Sequence, residues 1–347
     1  MGKEAMSRNI LFICGSLNQT TMMHKIAQHM SEYNCYFTPF YADGLIDLAA
    51  RAGWLDFTVL GGRHLRNTNN YFARNLMPVD PRGASREYDM VITGSDLLIQ
   101  RNIRGKRLIL IQEGITEPET SVYWMVRWLR LPRYLANTST NGLSDAYDLF
   151  CVASEGYAKH FIRKGVRAEK IAVTGIPNFD DLQSNLENDF PYHGFVLVAT
   201  TPLRETFRRD DRISFIRRCV EIAAGRPLIF KLHPTEKVER ATREILNHAP
   251  LAQVFVDGDV DHMIANAATV ITQQSTCTFV AVALGKEVYT NLHMDELRRL
   301  MPIQNGGESA QRIANISRRV LHTPMSVLQQ IRRGIRTRPK WEKVDLT

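Results

Sequence analysis

A cation and an imidazole stand together in the segment Lys231-Leu232-His233-Pro234. They follow the apolar run Leu228–Phe230, which has the composition of a buried β-strand. In an extended chain Lys231 and His233 point to the same side, and Pro234 prevents continuation as a helix. A cation and an imidazole at a strand end suit a diphosphate or its leaving group. The alternative is a histidine whose hydrogen bonds are satisfied by the backbone at a turn.

Two other predicted strands of the same half end in turns that carry hydroxyl groups. Thr200, Thr201 and Arg204 follow the run Phe195–Ala199, and a second polar turn follows Val270–Thr272. Hydroxyls at the start of a helix are ordinary caps, and they also hydrogen-bond phosphate oxygens. We therefore predict that both turns bind the phosphates of a ligand. The residues of the second turn are Gln274, Ser275 and Thr276.

In the first half of the chain, Glu113 follows the apolar run Leu108–Ile111. A carboxylate at a strand end can act as a general base, and Gly114 indicates a tight turn that aims it outward. The alternative is a surface carboxylate that caps the next segment. The loop after the first strand lacks the GxGxxG dinucleotide fingerprint; it either contacts a ligand or only caps a helix. The polar positions expected near an acceptor or cleft are Gly15, Ser16, Asn18, His24, Gln112 and Glu117.

The candidate residues in the two halves of the chain follow two different sets of predicted strands. Continuous apolar runs that alternate with helical segments predict parallel sheets covered on both faces, so the fold class is α/β with two Rossmann-like domains. We expect an N-terminal domain over 1–178, a linker over 179–194, a second domain over 195–310, and a basic helix and tail over 311–347. A helix is predicted over Thr20–Tyr33, capped by Thr20 or Thr21. The predicted strands are Ile10–Cys14, Met90–Ile92, Leu108–Gln112, Leu149–Ala153, Ile171–Thr174, Phe195–Ala199, Pro227–Leu232, Val254–Val256, Thr269–Thr272 and Glu287–Thr290.

Composition excludes several classes of protein. The 347 residues include 44 Lys and Arg against 36 Asp and Glu, and their hydrophobic content of 44% is that of a globular protein. Neither a transmembrane segment nor a signal peptide is recognisable, so we expect a cytoplasmic protein. The five cysteines lack CxxC spacing, and HExxH, DxD, Walker and GxSxG motifs are missing, so we predict no metal and no cofactor. Asp257 and Asp259 are interpreted as helix-capping residues.

The excess positive charge is concentrated at the C-terminus. From Arg318 to Thr347 eight basic residues oppose two acidic ones, which accounts for six of the eight net positive charges. Apolar residues at helical spacing in Pro324–Arg338 predict an amphipathic basic helix that either lies on an anionic membrane or packs on the protein. A second basic aromatic patch contains Trp124, Trp128 and Arg130. A basic nucleic-acid-binding protein is the more distant alternative, and the confinement of the charge to one segment disfavours nucleic acid as a partner.

Three motifs resemble those of known enzyme families. Val173-Thr174-Gly175-Ile176-Pro177 with Asp180 resembles a segment that closes the first domain of sugar-nucleotide 2-epimerases and related GT-B glycosyltransferases. Lys231-Leu232-His233-Pro234 resembles the HP motif of CDP-glycerol glycerophosphotransferases, sialyltransferases and capsule-type Kdo transferases. Val270–Thr276 with Ala283–Val288 resembles a third segment of these families.

The resemblance implies a GT-B fold, in which two domains face each other across a cleft and the C-terminal one holds a nucleotide-sugar donor linked to CMP, CDP or UDP. It places Lys231 and His233 near the donor phosphates, Ser275 and Thr276 on them, and Glu113 as the base that activates a saccharide or lipid-linked acceptor. Instead of the epimerases' paired glutamates the chain has Thr278-Phe279-Val280-Ala281. We therefore expect a metal-independent glycosyltransferase of surface polysaccharide synthesis, cytoplasmic or peripheral on the inner membrane face. A sugar-nucleotide 2-epimerase and a polyol-phosphate transferase remain alternatives.

Overall fold

The structure is a computed structural model that describes residues 8–205, 208–273 and 275–333. The chain forms two compact units. The first unit contains the residues up to Asp180 together with those from Pro302 onward, and the second unit runs from Asp181 to Met301. Among the described helices, none is both long and apolar enough to cross a bilayer.

The first unit is built on a parallel sheet of six strands, with the spatial order β2-β1-β3-β4-β5-β6. Its central strands are fully buried, as their continuous apolar sequences predict. One strand of this sheet, β2, was not predicted from the sequence. In chain order the strands are β1 (Asn9–Cys14), β2 (Asn34–Pro39), β3 (Met90–Thr93), β4 (Arg107–Ile111), β5 (Leu149–Val152) and β6 (Ile171–Val173).

Helices connect these strands, and the first of them begins earlier than predicted. It starts at Leu17 because the Ser16 side chain accepts a hydrogen bond from the backbone N–H of Gln19 at 3.1 Å, so Ser16 is the cap rather than Thr20 or Thr21. It ends at Gln28, well before the predicted Tyr33. The helices are α1 (Leu17–Gln28), α2 (Gly44–Arg51), α3 (Gly62–Arg74), α4 (Ser121–Trp128) and α5 (Glu155–Lys164).

The second unit has a parallel sheet of five strands in the order β11-β10-β7-β8-β9. Its core packs apolar strand residues such as Val198 and Phe230 against Ile216 and Ile245 of the covering helices. The strands are β7 (Val196–Ala199), β8 (Leu228–Lys231), β9 (Gln253–Phe255), β10 (Thr269–Thr272) and β11 (Glu287–Tyr289). The helices are α6 (Arg212–Ala223), α7 (Val238–His248), α8 (Val260–Asn266), α9 (Cys277–Ala283) and α10 (Met294–Leu300).

The chain then returns to the first unit. The sequence-based division ran the second domain to residue 310, whereas the structure assigns the residues from Pro302 to the first unit. The difference arises because Asp180 fixes this segment: its carbonyl accepts from the N–H of Asn305 at 2.8 Å and its carboxylate from that of Ser309 at 2.7 Å. The segment continues as α11 (Ser309–His322) and α12 (Met325–Arg332).

Helix α12 packs on the first unit with its apolar side. Leu328 and Ile331 are buried, and Arg332 makes a two-pronged ion pair with Asp148, both N–O distances being 2.8 Å. The described part of the basic C-terminal helix thus has the packed arrangement rather than the membrane-bound one. The predicted helix extended to Arg338, and its residues after Arg333 lie outside the described part of the chain.

Candidate functional site

The Glu113 carboxylate lies at the start of helix α1. Glu113 follows β4, which is separated from β1 in the sheet by β3 alone, so the loops after β4 and β1 share one edge. One carboxylate oxygen accepts from the Ser16 hydroxyl at 2.5 Å, and the other from the Gln19 side-chain amide at 2.5 Å. The Asn18 amide approaches the first oxygen at 3.5 Å. The structure therefore brings together Glu113, Ser16 and Asn18 as the sequence predicts.

Gln19 is a member of this cluster that sequence reasoning missed. Its side chain is buried between Gly15 and Gly94, and a Cβ at Gly15 would stand 2.2 Å from the Gln19 carbonyl oxygen. Within the described residues that oxygen has no hydrogen-bond donor. The Gln19 side chain is therefore held in the cluster by its hydrogen bond to Glu113 and by the close approach of Gly15.

Glu113 has the chemistry of a hydrogen-bonded but accessible base. It is half-buried, and the side chains that bind it are neutral, so its negative charge is not cancelled by a cation among them. His64 of α3 is a titratable neighbour that the sequence did not indicate. Burial lowers the pKa of His64, and the charge of Glu113 acts in the opposite direction.

The other predicted residues of the first unit do not bind the Glu113 carboxylate, and each has a different set of contacts. Gln112 is buried and links two strand ends, because its amide binds the Gly114 carbonyl at 2.8 Å and the Ala153 N–H at 2.9 Å. The backbone N–H of Glu117 donates to the Thr138 hydroxyl. His24 faces Tyr71, whose hydroxyl lies 3.0 Å from its Nδ1, and burial lowers the pKa of His24.

Three adjacent strands of the second unit end at the same level. The register pairs Ala199 of β7 with Lys231 of β8 on one side and with Thr272 of β10 on the other. The turns that begin at Thr200, Leu232 and Gln273 therefore share the carboxyl edge of the sheet, which is where parallel sheets bind ligands. The sequence predicted this convergence.

The first two turns are joined by the carboxylate of Glu236. Its oxygen accepts from the Thr200 hydroxyl and, at 2.9 Å, from the backbone N–H of His233. The other oxygen is bound by Arg212, whose side chain is 3% exposed. Neither Glu236 nor Arg212 was identified from the sequence, although Glu236 stands only three residues after His233. Its role depends on the fold, which brings α6 beside it.

Three predicted donor-binding side chains have partners within the second unit. The Arg204 guanidinium binds Glu244 through two bonds of 2.9 and 2.6 Å, which raises its pKa. The Lys231 ammonium donates to the carbonyls of Leu232 at 3.2 Å and Val256 at 2.8 Å. The His233 ring lies 2.8 Å from the Thr235 hydroxyl. These groups are thereby oriented by the protein rather than directed freely outward.

The third turn carries the predicted hydroxyl groups. The Ser275 hydroxyl accepts from the Cys277 N–H at 3.2 Å, so it caps the start of α9. Thr276 precedes that helix without a side-chain cap bond. Gln274 lies outside the described residues. The hydroxyl of Thr272 at the end of β10 is buried and has no hydrogen-bond partner in the part of the chain that the structure describes.

Of the two acidic residues after β9, Asp259 caps a helix as the sequence predicts. Asp259 caps α8, and its carboxylate accepts from the Asp261 N–H at 2.9 Å. Across residues 8–205, 208–273 and 275–333, the His, Cys, Asp and Glu side chains form no group of three or more that could hold a metal ion.

The fold is shared by solved structures of low sequence identity. UDP-GlcNAc 2-epimerase from Neisseria meningitidis bound to UDP-GlcNAc is 10% identical, with a TM-score of 0.57 over 90% of this chain and 100% of that one. The S. aureus MnaA–UDP structure is 12% identical, with a TM-score of 0.55 over 90% and 97%. A variant of the wall teichoic acid polymerase TagF soaked with CDPG is 12% identical, with a TM-score of 0.51 over 91% and 89%. No family model and no curated protein matches the chain.

These similarities define the class of fold. Two Rossmann-like units with parallel sheets, similar over their lengths to these structures, make this a GT-B fold. The resemblance to 2-epimerases and CDP-glycerol-type transferases inferred from the three sequence motifs is thereby confirmed at the level of the fold.

Proposed function

We propose that this protein is a metal-independent glycosyltransferase that moves a sugar from a nucleotide-sugar donor to an acceptor in surface polysaccharide or glycoconjugate synthesis. The observation that carries the proposal is the edge of the second unit, where the turns at Thr200, His233 and Ser275 converge. Hydroxyl, imidazole and ammonium groups at the carboxyl ends of parallel strands suit a diphosphate. Solved proteins of this fold hold UDP, UDP-GlcNAc and CDPG, which supports a CMP-, CDP- or UDP-linked donor.

The proposed reaction divides the work between the two units. In the second unit, Lys231 and His233 stabilise the negative charge that develops on the leaving phosphate, as electrostatic preorganisation requires. The donor phosphates are bound by the polar turns, to which Thr200, Thr201, Arg204, Gln274, Ser275 and Thr276 belong. In the first unit, Glu113 takes the proton of the acceptor hydroxyl. The acceptor oxygen forms a bond to the sugar carbon, and the bond from that carbon to the phosphate oxygen breaks.

The acceptor is a saccharide or a lipid-linked saccharide, and the protein works in the cytoplasm at the inner face of the membrane. Glu113, Ser16 and Asn18 offer acceptors and a donor of hydrogen bonds to the sugar hydroxyls.

A 2-epimerase is the second candidate, because the N. meningitidis epimerase has the higher TM-score, 0.57 against 0.51 for TagF. The sequence at the start of α9 argues against an epimerase. Where epimerases carry paired glutamates, Phe279, Val280 and Ala281 are buried in the core, so no carboxylate is available from them. A polyol-phosphate transferase is the third candidate, supported by the TagF similarity.

Thermal unfolding with CMP, CDP, UDP, GDP and their sugar conjugates tests the donor site. A ligand at 100 times its Kd stabilises the native state by about 2.7 kcal/mol, so the correct nucleotide should raise Tm by several degrees. If none of these nucleotides raised the Tm, the result would contradict the proposal of a nucleotide-sugar site. NMR of the donor sugar during incubation without acceptor separates the candidates: inversion at C2 would establish the epimerase, and an unchanged donor that is consumed only with acceptor supports the transferase.

A further inference from the structure

Helix α4 exposes apolar side chains on most of its surface. Only its residues Tyr123 and Val126 are buried, and with Ala136 they form a small core of their own. A helix that is apolar on nearly all sides is normally covered by protein or lipid. The exposed apolar residues, which we call the α4 surface, are Val122, Trp124, Met125, Trp128, Leu129, Tyr134 and Leu135, and Trp128 is 89% exposed.

The α4 surface lies in a stretch of chain that is basic. From Ser121 to Gly142 the sequence contains Arg127, Arg130 and Arg133 and no Asp or Glu. Arg130 is exposed and forms no ion pair with any residue that the structure describes. Tryptophans beside unpaired positive charge are the composition of segments that lie at the headgroup level of a bilayer.

A basic pocket of about 420 Å³ adjoins this surface. Arg127, Arg130, Arg133 and Lys164 line it together with one acidic residue, Asp145. The charge of Arg133 is compensated by Asp96 at 3.1 Å, which leaves Arg127, Arg130 and Lys164. The charge of Asp145 is already compensated, because its carboxylate lies 2.6 Å from the Lys170 ammonium and 3.1 Å from Arg167. The pocket therefore keeps a net positive character that suits a phosphate group.

Lys164 contributes positive charge to this pocket at neutral pH. Burial lowers its pKa to about 8, so the ammonium form predominates at pH 7. Its Nζ donates to the Ser139 carbonyl and lies 5.0 Å from the centre of the Tyr123 ring. Tyr123 is one of the two buried residues of α4. The pocket is built into the same small core that supports the α4 surface.

The position of the pocket separates it from the Glu113 cluster. The pocket is formed by the C-terminal ends of α4 and α5. Helices in a parallel sheet run opposite to the strands, so their C-terminal ends lie at the amino edge of the sheet. Glu113 follows the carboxyl end of β4, at the opposite edge.

We propose that the α4 surface docks the protein on an anionic phospholipid bilayer, with Trp124 and Trp128 among the headgroups and a lipid phosphate bound by Arg127 and Arg130. The proposal assigns a surface to the peripheral membrane location proposed above and does not depend on the donor or on the reaction. Another exposed apolar segment of the first unit, around Leu45, Leu48 and Trp54, serves as a contrast. From residue 43 to residue 62 the sequence has Asp43, Asp47 and Asp56 against Arg51 alone, so this segment lacks the excess positive charge that attracts anionic lipid.

Vesicle flotation of the full chain tests the proposal. The protein should bind vesicles containing phosphatidylglycerol and not vesicles of pure phosphatidylcholine, and added salt should weaken binding. The double change Trp124→Ala and Trp128→Ala should weaken binding about tenfold or more, because two buried indoles are lost. Arg130→Glu should weaken it about fivefold or more. Trp54→Ala, which removes an exposed indole from the acidic segment, should bind like the unchanged protein.

Three outcomes would overturn the proposal. Equal binding by the α4 variants and the unchanged protein would assign the membrane contact to another part of the chain, such as the basic tail that every variant retains. Absence of binding to anionic vesicles would exclude a membrane surface. Calorimetric binding of inorganic phosphate, lost in Arg130→Glu while vesicles do not bind, would assign the pocket to a soluble anion. Circular dichroism melting of each variant confirms that losses do not reflect unfolding.

Discussion

Glu113 and Glu236 are two carboxylates at the carboxyl edges of two parallel sheets, and their surroundings differ. The oxygens of Glu113 accept from a hydroxyl and an amide, and the side chain is half-buried. The oxygens of Glu236 accept from Thr200, a backbone N–H and Arg212, and the side chain is 1% exposed. Both carboxylates tie two loops together, but only Glu236 has a guanidinium bound to it.

The difference is the one expected between a carboxylate that acts as a base, which is the role proposed for Glu113, and a structural carboxylate. A buried ion pair fixes both partners, because breaking it leaves an uncompensated charge in a medium of low polarity. Neutral donors orient a carboxylate while leaving its charge available to a substrate proton. The comparison therefore supports the proposal that Glu113 is the base, whereas Glu236 with Arg212 positions the Thr200 and His233 turns.

The largest effect expected from this comparison is the loss of activity in Glu113→Gln. The amide keeps the shape of the side chain but cannot take a proton, so transfer to the acceptor should slow about 10²- to 10⁴-fold. The rate is measured with the donor identified by thermal shift, and donor affinity should stay unchanged. Glu155→Gln, at an exposed carboxylate that begins α5, is the matched control. Full activity of Glu113→Gln would show that the base lies elsewhere.

Arg212→Met should produce the largest loss of stability. Methionine fills much of the space of the arginine, yet it leaves Glu236 buried without its counter-charge. Asp210, whose oxygen lies 3.4 Å from the Arg212 Nε, loses a partner as well. We expect the free energy of unfolding to fall by about 3–5 kcal/mol in urea titrations. Arg298→Met removes an ion pair at the surface and should leave stability unchanged. Equal stability of the two variants would refute the structural role of the Arg212–Glu236 pair.

Local patterns explain why so much of the fold was predictable. Most of the ten predicted strands are continuous apolar runs, and their alternation with helices leaves few arrangements other than parallel sheets. The missed strand, β2, is an edge strand with the sequence NCYFTP, in which polar residues and Pro39 interrupt the apolar signal. Helix α1 began before the predicted residue because Ser16 and Thr20 are both good caps, and only the contacts of Ser16 choose between them.

The residues of the candidate sites were predictable only when they lie in the loops that follow strands. Glu113 and Ser16 follow strands of the first unit and Thr200 follows a strand of the second, so the meeting of loops at the edge of each sheet follows from that sheet's own topology. Gln19 and Arg212 lie within helices, where a polar residue carries no signal of what it faces. Arg204 was predicted to bind phosphate because it is a cation near a strand end, and the sequence carried no signal of the Glu244 partner that the tertiary structure gives it.

A smaller effect should follow from crowding Gln19 with Gly15→Ala. The added Cβ would displace the Gln19 amide from Glu113, which loosens one of its two close hydrogen bonds. We expect the transfer rate to fall about tenfold and the free energy of unfolding by about 1 kcal/mol. The double variant Gly15→Ala, Gln19→Ala removes the obstructing side chain, so the second substitution should cancel much of the stability loss caused by the first. Strictly additive losses would show that Gly15 does not act through Gln19.

The smallest effect concerns the Arg204–Glu244 pair, which is less buried than the pair of Glu236. Arg204 holds the pKa of Glu244 below its ordinary value of 4.5. A carboxyl group whose pKa is lower in the folded protein adds stability that is complete above its unfolded pKa and is lost as the pH falls through the folded pKa.

Glu244→Gln should therefore cost about 1 kcal/mol at pH 7, and the difference from the unchanged protein should shrink as the pH falls below 4.5. Urea unfolding at several pH values measures this difference, with Glu221→Gln, an exposed carboxylate of α6, as a control whose effect should not vary with pH. A Glu244→Gln cost that stays constant from pH 7 down to acid would mean that the side chain contributes by packing alone. In the second unit, the charge of the Arg212–Glu236 pair would then contribute to stability, whereas the charge of the Arg204–Glu244 pair would not.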